Sequence, residues 1–137
     1  MSSVLITGGA GFIGSNPPHP RWAGGGECHG GHNPSHRQAV RVADEAELHQ
    51  LDLREADLLA TLVERTKPAT IFHLAAQADV RRALEDPVYD ADVNVIGTIN
   101  VLEAARRVGA RVVFTSTGGA GHGEHEGLPV PRPQTSQ

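Results

Sequence analysis

The chain has 137 residues and a net charge of −4, a size that allows a single domain with a hydrophobic core. The negative charge gives no reason to expect nucleic acid or an acidic membrane surface as a partner. Cys28 is the one cysteine, which excludes an internal disulfide, and no run of eighteen apolar residues exists. We therefore expect a cytoplasmic protein with no membrane or nucleic-acid partner.

The first fourteen residues, MSSVLITGGAGFIG, combine a short apolar strand with glycines in the spacing GxxGxxG. Val4–Ile6 suit a buried first strand of a parallel sheet. Gly8 permits a sharp turn, and Gly11 lets the backbone approach a pyrophosphate without a Cβ. Gly14 allows close packing of a helix that should begin near Gly11, and the N–H groups of that helix would bind the anion. A glycine triplet directly after a strand predicts a dinucleotide site.

The stretch 16–40 does not continue this pattern. Here an amphipathic helix and a second strand should follow, yet residues 16–38 contain no Leu, Ile, Val, Phe or Met and many glycines and prolines. Glycine costs a helix up to about 1 kcal/mol relative to alanine, so we expect irregular coil without the first helix. The length nevertheless suits the missing helix and strand. A natural loop and a pair of compensating reading-frame shifts both remain open.

Strand and helix patterns alternate over residues 42–117. Strands are predicted at Val4–Thr7, within Ala46–Leu53 (near His49–Leu53), at Thr70–Ala75 and at Arg111–Thr115. A helix over Glu55–Thr66 should bury one face, and a longer helix should run over Pro87–Val108 and end at Gly109. The residues expected on the buried faces are Leu58, Leu59, Leu62 and Val63 in the first helix and Ala91, Val95, Thr98, Leu102 and Ala105 in the second.

This alternation predicts an α/β fold, a Rossmann-like parallel sheet with helices on both faces. We expect it to be incomplete, because the first helix and the second strand are degenerate. Residues 1–117 would form a partial dinucleotide-binding domain. Residues 118–137 are rich in glycine and proline and would form an irregular tail.

Four segments resemble the extended short-chain dehydrogenase/reductases, the NAD-dependent nucleotide-sugar epimerases and dehydratases, and most of all their UDP-glucose 4-epimerase branch. They are TGGAGFIG, the Asp52–Leu53 pair, HLAAQADV and DVNVIGTINVLEAAR. The resemblance implies that NAD is the cofactor. Its pyrophosphate would be held by Gly8, Gly11, Phe12, Ile13 and Gly14, and its adenine would lie beside Asp52 and Leu53. Its nicotinamide ribose would lie along Leu74, Ala75, Ala76 and Gln77, and Asn94 would support the pocket.

The same resemblance implies that the hydroxyl of Thr117 helps to polarise the sugar, as the one candidate catalytic residue in the chain. The family's YxxxK pair is absent, because Tyr89 is the only tyrosine and Lys67 the only lysine. His122 stands where the family has the tyrosine of a YG dipeptide, and His32 and Asn33 stand where a carboxylate would bind the adenosine ribose. We expect an N-terminal cofactor-binding fragment that does not turn over substrate alone.

In the complete enzyme the substrate would be a nucleotide sugar, and a homodimer is the assembly expected of the full-length family. Cys28, His32 and His36 are spaced by four, but the intervening glycines argue against a preorganised site, so we expect no metal. Two other hypotheses remain, a non-catalytic remnant that binds a dinucleotide or a partner protein, and a damaged reading frame without function.

Overall fold

The computed structural model describes residues 3–9, 11, 13–14, 26–29 and 49–116. Four strands form one sheet: β1 Val4–Thr7, β2 Gly26–His29, β3 Thr70–His73 and β4 Arg111–Phe114. The helices are α1 Ala56–Thr66, α2 Val80–Glu85, α3 Pro87–Ala91 and α4 Gly97–Val108, with a π-helical segment, Asp92–Ile96, between α3 and α4. None of these described helices has the length and apolar character needed to cross a membrane.

The sheet has the order β2-β1-β3-β4, and every neighbouring pair is parallel. Thr7 is paired with His29 on one side and His73 on the other, and His73 is paired with Phe114. All four strands therefore end at the same edge of the sheet, where parallel α/β folds bind ligands. The predicted α/β class and the predicted strands β1, β3 and β4 are confirmed.

Residues 16–40 were expected to form irregular coil with a degenerate second strand, and the expectation of coil is wrong for Gly26–His29, which form β2. These residues pair with β1 through a parallel ladder, which is made by main-chain groups and does not need an apolar side-chain pattern. The expected absence of the first helix lies outside the described residues. So does the tail from Thr117 onwards.

The predicted strand within Ala46–Leu53 is not present over residues 49–53, while residues 46–48 lie outside the described part of the chain. Asp52 instead forms a turn, in which its carboxylate accepts the backbone N–H of Arg54 at 3.0 Å and its carbonyl accepts that of Glu55 at 3.0 Å. Aspartate side chains that bond to nearby backbone groups compete with sheet ladders, which explains the difference.

Helix α1 packs against α4 and forms the core together with the apolar side chains of the sheet. Its predicted face is confirmed for Leu59, Leu62 and Val63, which are buried, and is wrong for Leu58, which is 54% exposed. Leu58 lies about 100° around the helix from Leu59, and the face turned to α4 does not reach it. The helix ends at Thr66, and its C-cap Lys67, directly before Pro68, has a left-handed φ of 43°.

The helix predicted over Pro87–Val108 forms, but its middle turn is wider than an α-helix. The predicted buried face is wrong for Ala91, Val95 and Leu102, which are exposed, while Thr98 is half-buried and Ala105 is buried. Apolar residues occur around the whole helix, and α4 turns a different stripe to the core, namely Gly97, Val101, Ala104 and Ala105. The predicted cap at Gly109 is confirmed, with φ 71° and a hydrogen bond from Ala110 N to Ala105 O.

Candidate functional site

The glycine turn that follows β1 lies against the end of β3. Gly8 has a φ of 71°, and a Cβ built on it would lie 2.7 Å from the backbone nitrogen of Ala75. The backbone N–H of Gly11 donates to the carbonyl of Gly8 at 2.9 Å and closes the turn. A Cβ on Gly14 would lie 2.6 Å from the same carbonyl oxygen. Only glycine therefore fits at Gly8 and Gly14 while the turn keeps this shape.

Below this turn, a chain of buried polar groups crosses the sheet. Thr7 and His73 are 0% and 3% exposed, and Thr7 Oγ1 lies 2.6 Å from His73 Nδ1. The other ring nitrogen, Nε2, lies 3.0 Å from Thr98 Oγ1 on α4. Burial lowers the pKa of His73, since a charged imidazolium would lose its hydration there. Burial at this position therefore favours the neutral imidazole.

The main chain after β3 is held at two points. The backbone N–H of Ala75 donates to Thr7 Oγ1 at 3.3 Å. Two residues further on, Asn94 binds Gln77 by two hydrogen bonds, from Gln77 N to Asn94 Oδ1 at 2.8 Å and from Asn94 Nδ2 to Gln77 O at 2.9 Å. A side-chain amide that satisfies both main-chain groups of one residue fixes the path of the loop.

The side chain of Gln77 is also engaged within the protein. Its Oε1 accepts the backbone N–H of Asp79 at 2.8 Å, and its Nε2 donates to the carbonyl of Asp79 at 2.9 Å and to Asp90 Oδ1 at 3.0 Å. Asp79 is also the N-cap of α2, where its carboxylate accepts the N–H of Arg81. Gln77 thus links the loop after β3 to the start of α2 and to α3.

Asp52 lies in a cluster of charged groups. Arg54 donates to it from Nε and Nη2, at 3.0 Å and 2.6 Å, and this guanidinium holds the pKa of the Asp52 carboxyl below its usual range. The guanidinium of Arg54 also lies 5.1 Å from the centre of the Tyr89 ring and 3.6 Å from Asp92. A second guanidinium, that of Arg82, lies 4.1 Å from the centre of the Tyr89 ring.

Leu53 is buried beside α4. A Cβ on Gly97 would lie 3.2 Å from the Cβ of Leu53, and the carbonyl of Leu53 accepts a hydrogen bond from Asn100 Nδ2 at 2.9 Å. Asn94 and Gly97 both belong to the segment DVNVIGTINVLEAAR that carries part of the family resemblance. One helical stretch therefore holds Asp52–Leu53 through Gly97 and Gln77 through Asn94.

The structure thus places most predicted site residues around the carboxyl ends of β1 and β3. Gly8, Leu74 and Ala75 meet directly, and Asn94 and Gln77 are hydrogen-bonded. Ala76 is exposed in the loop between them, and Ile13 is 68% exposed. Phe12 and Thr117 lie outside the described residues.

Sequence reasoning missed the groups that connect these residues. The sequence patterns give no role at the site to Thr7, Arg54, His73 or Asp90. The available signal was position, because Thr7 and His73 each end an apolar strand and become neighbours once the strands pair in register. Helix α2 was also missed, although an aspartate such as Asp79 is a typical N-cap residue.

A model of the NAD dependent epimerase/dehydratase family matches residues 4–136. The chain belongs to this family. Among curated relatives, the UDP-glucose 4-epimerase of Mycolicibacterium smegmatis is 43% identical over 133 residues, which cover 93% of this chain and 42% of that protein. The resemblance noted in the sequence is confirmed.

Two solved structures of epimerases superpose well on the chain. The Thermus thermophilus UDP-glucose 4-epimerase in complex with NAD gives a TM-score of 0.71 at 35% identity, covering 85% of this chain and 38% of that one. An epimerase from Methanothermobacter thermautotrophicus gives 0.80 at 28% identity, covering 95% and 39%. The chain therefore spans about two fifths of the length of these relatives.

Proposed function

We propose that this chain is the NAD-binding part of a nucleotide-sugar epimerase similar to UDP-glucose 4-epimerase. The observation that carries the proposal is the contact between the Gly8 turn and the backbone at Ala75, at the edge where β1 and β3 end together. At this contact the backbone of Gly8, which carries no side chain, lies at the position where dinucleotides bind in parallel α/β folds. The family membership supports NAD as the dinucleotide.

The residues present fit the parts of that cofactor. Gly8, Gly11 and Gly14 would hold the pyrophosphate, because their backbone approaches it without a Cβ. The carboxylate of Asp52 would accept a hydrogen bond from the exocyclic amine of the adenine, since Arg54 keeps this carboxylate ionised and orients it. The main chain at 74–77 would lie along the nicotinamide ribose, where Asn94 fixes it. When bound, NAD supplies the hydride acceptor.

The epimerisation itself belongs to the proposal for the complete enzyme, whose substrate would be a nucleotide sugar. The chain has Thr117 as a hydroxyl that would polarise the sugar, but a threonine hydroxyl is too weak an acid to serve as the base near neutral pH. The tyrosine and lysine of YxxxK are not among these 137 residues. General-base catalysis contributes about two to four orders of magnitude, so we expect no turnover by this chain alone.

Weak binding of NAD is expected. His32 and Asn33 stand where relatives of this fold have the carboxylate that binds both ribose hydroxyls, and one amide does not replace it. We expect a dissociation constant above about one micromolar, which corresponds to about −8 kcal/mol.

The single cysteine of the chain is consistent with a reducing cytoplasm as its location, which we include in the proposal.

Isothermal titration calorimetry of the purified chain with NAD tests this function. We expect saturable binding that is lost in Gly8→Val, whose side chain would collide with Ala75, and retained in Gly109→Ala, whose site is open and lies at the opposite end of the sheet. Incubation with NAD and UDP-glucose or UDP-galactose should give no epimer above a blank without protein. No binding at millimolar NAD would contradict the proposal and favour the damaged reading frame. Submicromolar binding would contradict our account of the ribose site.

A further inference from the structure

We propose that His73 is a positioning residue for NAD, which as a neutral imidazole protonated on Nε2 holds the glycine turn and the loop after β3 in one arrangement. The inference rests on the proposed function, since it concerns the same site. His73 does not reach the site edge itself. It acts through Thr7, whose neighbour Gly8 and whose hydrogen-bond partner Ala75 are both proposed cofactor contacts.

The hydrogen-bond geometry selects the tautomer. Thr98 Oγ1 donates its only proton to the carbonyl of Asn94 at 2.6 Å, so it can only accept from His73 Nε2, which must carry a proton. In the neutral ring Nδ1 then has a lone pair, and it accepts the hydroxyl proton of Thr7 at 2.6 Å. The oxygen of Thr7 is left to accept the N–H of Ala75.

In this series of hydrogen bonds, each link therefore has a fixed donor and a fixed acceptor. The order is Ala75 N–H to Thr7, Thr7 O–H to His73 Nδ1, His73 Nε2–H to Thr98 and Thr98 O–H to Asn94. The last member, Asn94, is the residue that fixes Gln77. This series of hydrogen bonds thus connects the two anchored points of the loop after β3, Ala75 and Gln77, through the interior of the protein.

Protonation of His73 would reverse one link of this chain. With Nδ1 carrying a proton, Thr7 would have to accept from it, and the hydroxyl proton of Thr7 would need another acceptor in a fully buried place. Among the described residues, the side chains in hydrogen-bond or ring contact with His73 are Thr7 on β1, Thr98 on α4 and Phe114 on β4, whose ring centroid is 5.7 Å away, and none of them is charged. Nothing among them would stabilise an imidazolium, and NAD affinity should fall when His73 is protonated in acid.

The test measures NAD affinity by calorimetry for variants that keep or remove single links. Thr7→Val removes the hydroxyl at nearly constant volume, while Thr7→Ser retains it. We expect Thr7→Val to raise the dissociation constant about tenfold, the effect of losing one buried hydrogen bond, and Thr7→Ser to stay within about threefold of the unchanged chain. Thr98→Val, at the half-buried outer end, should weaken binding less than Thr7→Val does.

Ile71→Val separates positioning from general stability. Ile71 lies on β3 like His73, is fully buried and carries no polar group in its side chain. It should lower the urea midpoint of the protein and leave NAD affinity unchanged. Nitrogen-15 NMR of the imidazole ring reads the tautomer directly and should show a protonated Nε2 and an unprotonated Nδ1.

Equal affinity for NAD in Thr7→Val and Thr7→Ser, with stability as the only difference, would overturn the inference and leave the proposed function intact. A ring protonated on Nδ1 would also overturn it. Absence of NAD binding in the unchanged chain would instead refute the proposed function, and the positioning role of His73 with it.

Discussion

Two glycines in this chain have the same left-handed backbone but opposite surroundings, and this contrast yields a sharp prediction. Gly8 and Gly109 both have a φ of 71°. A Cβ on Gly8 would meet backbone atoms of Leu74 and Ala75, whereas a Cβ on Gly109 would meet nothing within 4 Å. The variants Gly8→Ala and Gly109→Ala therefore share the conformational strain and differ in the collision.

The two expected magnitudes follow from this difference. Left-handed backbone costs an L-residue about 1–2 kcal/mol, and part of this is offset because alanine reduces the entropy of the unfolded chain. We expect Gly109→Ala to lower the free energy of unfolding by about 1 kcal/mol. In Gly8→Ala the new Cβ would lie 2.7 Å and 2.8 Å from the nitrogen and Cα of Ala75, which are backbone atoms of the loop after β3. Overpacking of this kind adds about 1–3 kcal/mol, so we expect a loss of about 3 kcal/mol.

Urea unfolding followed by circular dichroism measures both losses, and NAD titration of the folded proteins measures a second consequence. Since β1 and β3 must separate locally to accept the methyl group, Gly8→Ala should also weaken NAD binding, whereas Gly109→Ala should not. The reasoning would be refuted if Gly8→Ala destabilised the protein no more than Gly109→Ala. It would also be refuted if both variants bound NAD alike.

Two further predictions concern single side chains. Lys67 adopts a left-handed φ of 43° before Pro68, so Lys67→Gly should raise the free energy of unfolding by about 0.5–1 kcal/mol in the same urea assay, and an unchanged or lowered midpoint would contradict this. The pKa of Asp52 is lowered by Arg54, so its contribution is present above the pKa of an unfolded aspartate and is lost as the pH falls through the lower, folded value. Because the pair is about one-third exposed, Asp52→Asn should cost no more than about 1 kcal/mol at pH 7, and the difference should shrink as the pH falls below about 4, the pKa of an unfolded aspartate. A constant difference would contradict the ion-pair explanation.

The parts of the fold that the sequence predicted are those with a strong local pattern. Strands β1, β3 and β4 are apolar runs with clear ends, and α1 ends at Thr66, two residues before the proline that marks its stop. Strand β2 was not predicted, because its contribution to the sheet is a main-chain ladder with β1 rather than a side-chain pattern. The strand expected near His49–Leu53 failed for the opposite reason, since the turn at Asp52 overrides the strand pattern of its side chains.

The buried face of the last helix could not be predicted from spacing alone. Val95, Ile99 and Leu102 are as apolar as Val101, yet they are exposed and Val101 is fully buried. The face that packs is selected by close approach, because Gly97 allows Leu53 to come within van der Waals distance. A spacing rule does not contain this information, which depends on an element more than forty residues away in the chain.

The candidate site also contains residues that the sequence could indicate and residues that it could not. The glycine turn and Asn94 follow from patterns within a few residues, so the sequence alone could indicate them. The link between Thr7 and His73 joins residues 66 positions apart, and only the register of β1 with β3 brings them together. A histidine at the end of an apolar strand is compatible with many roles until its two ring nitrogens have partners.

The π-helical segment connects the two ends of the proposed cofactor site. Its first residue, Asp92, lies 3.6 Å from Arg54, which orients Asp52 at the adenine end. Two residues later, Asn94 binds the main chain of Gln77 at the nicotinamide end. Because both contacts come from one hydrogen-bonded turn, a shift of this turn would move both ends together rather than one alone. Wide helical turns of this type are frequent at functional sites, and here the turn ties both ends of the site to α4, which packs against the core.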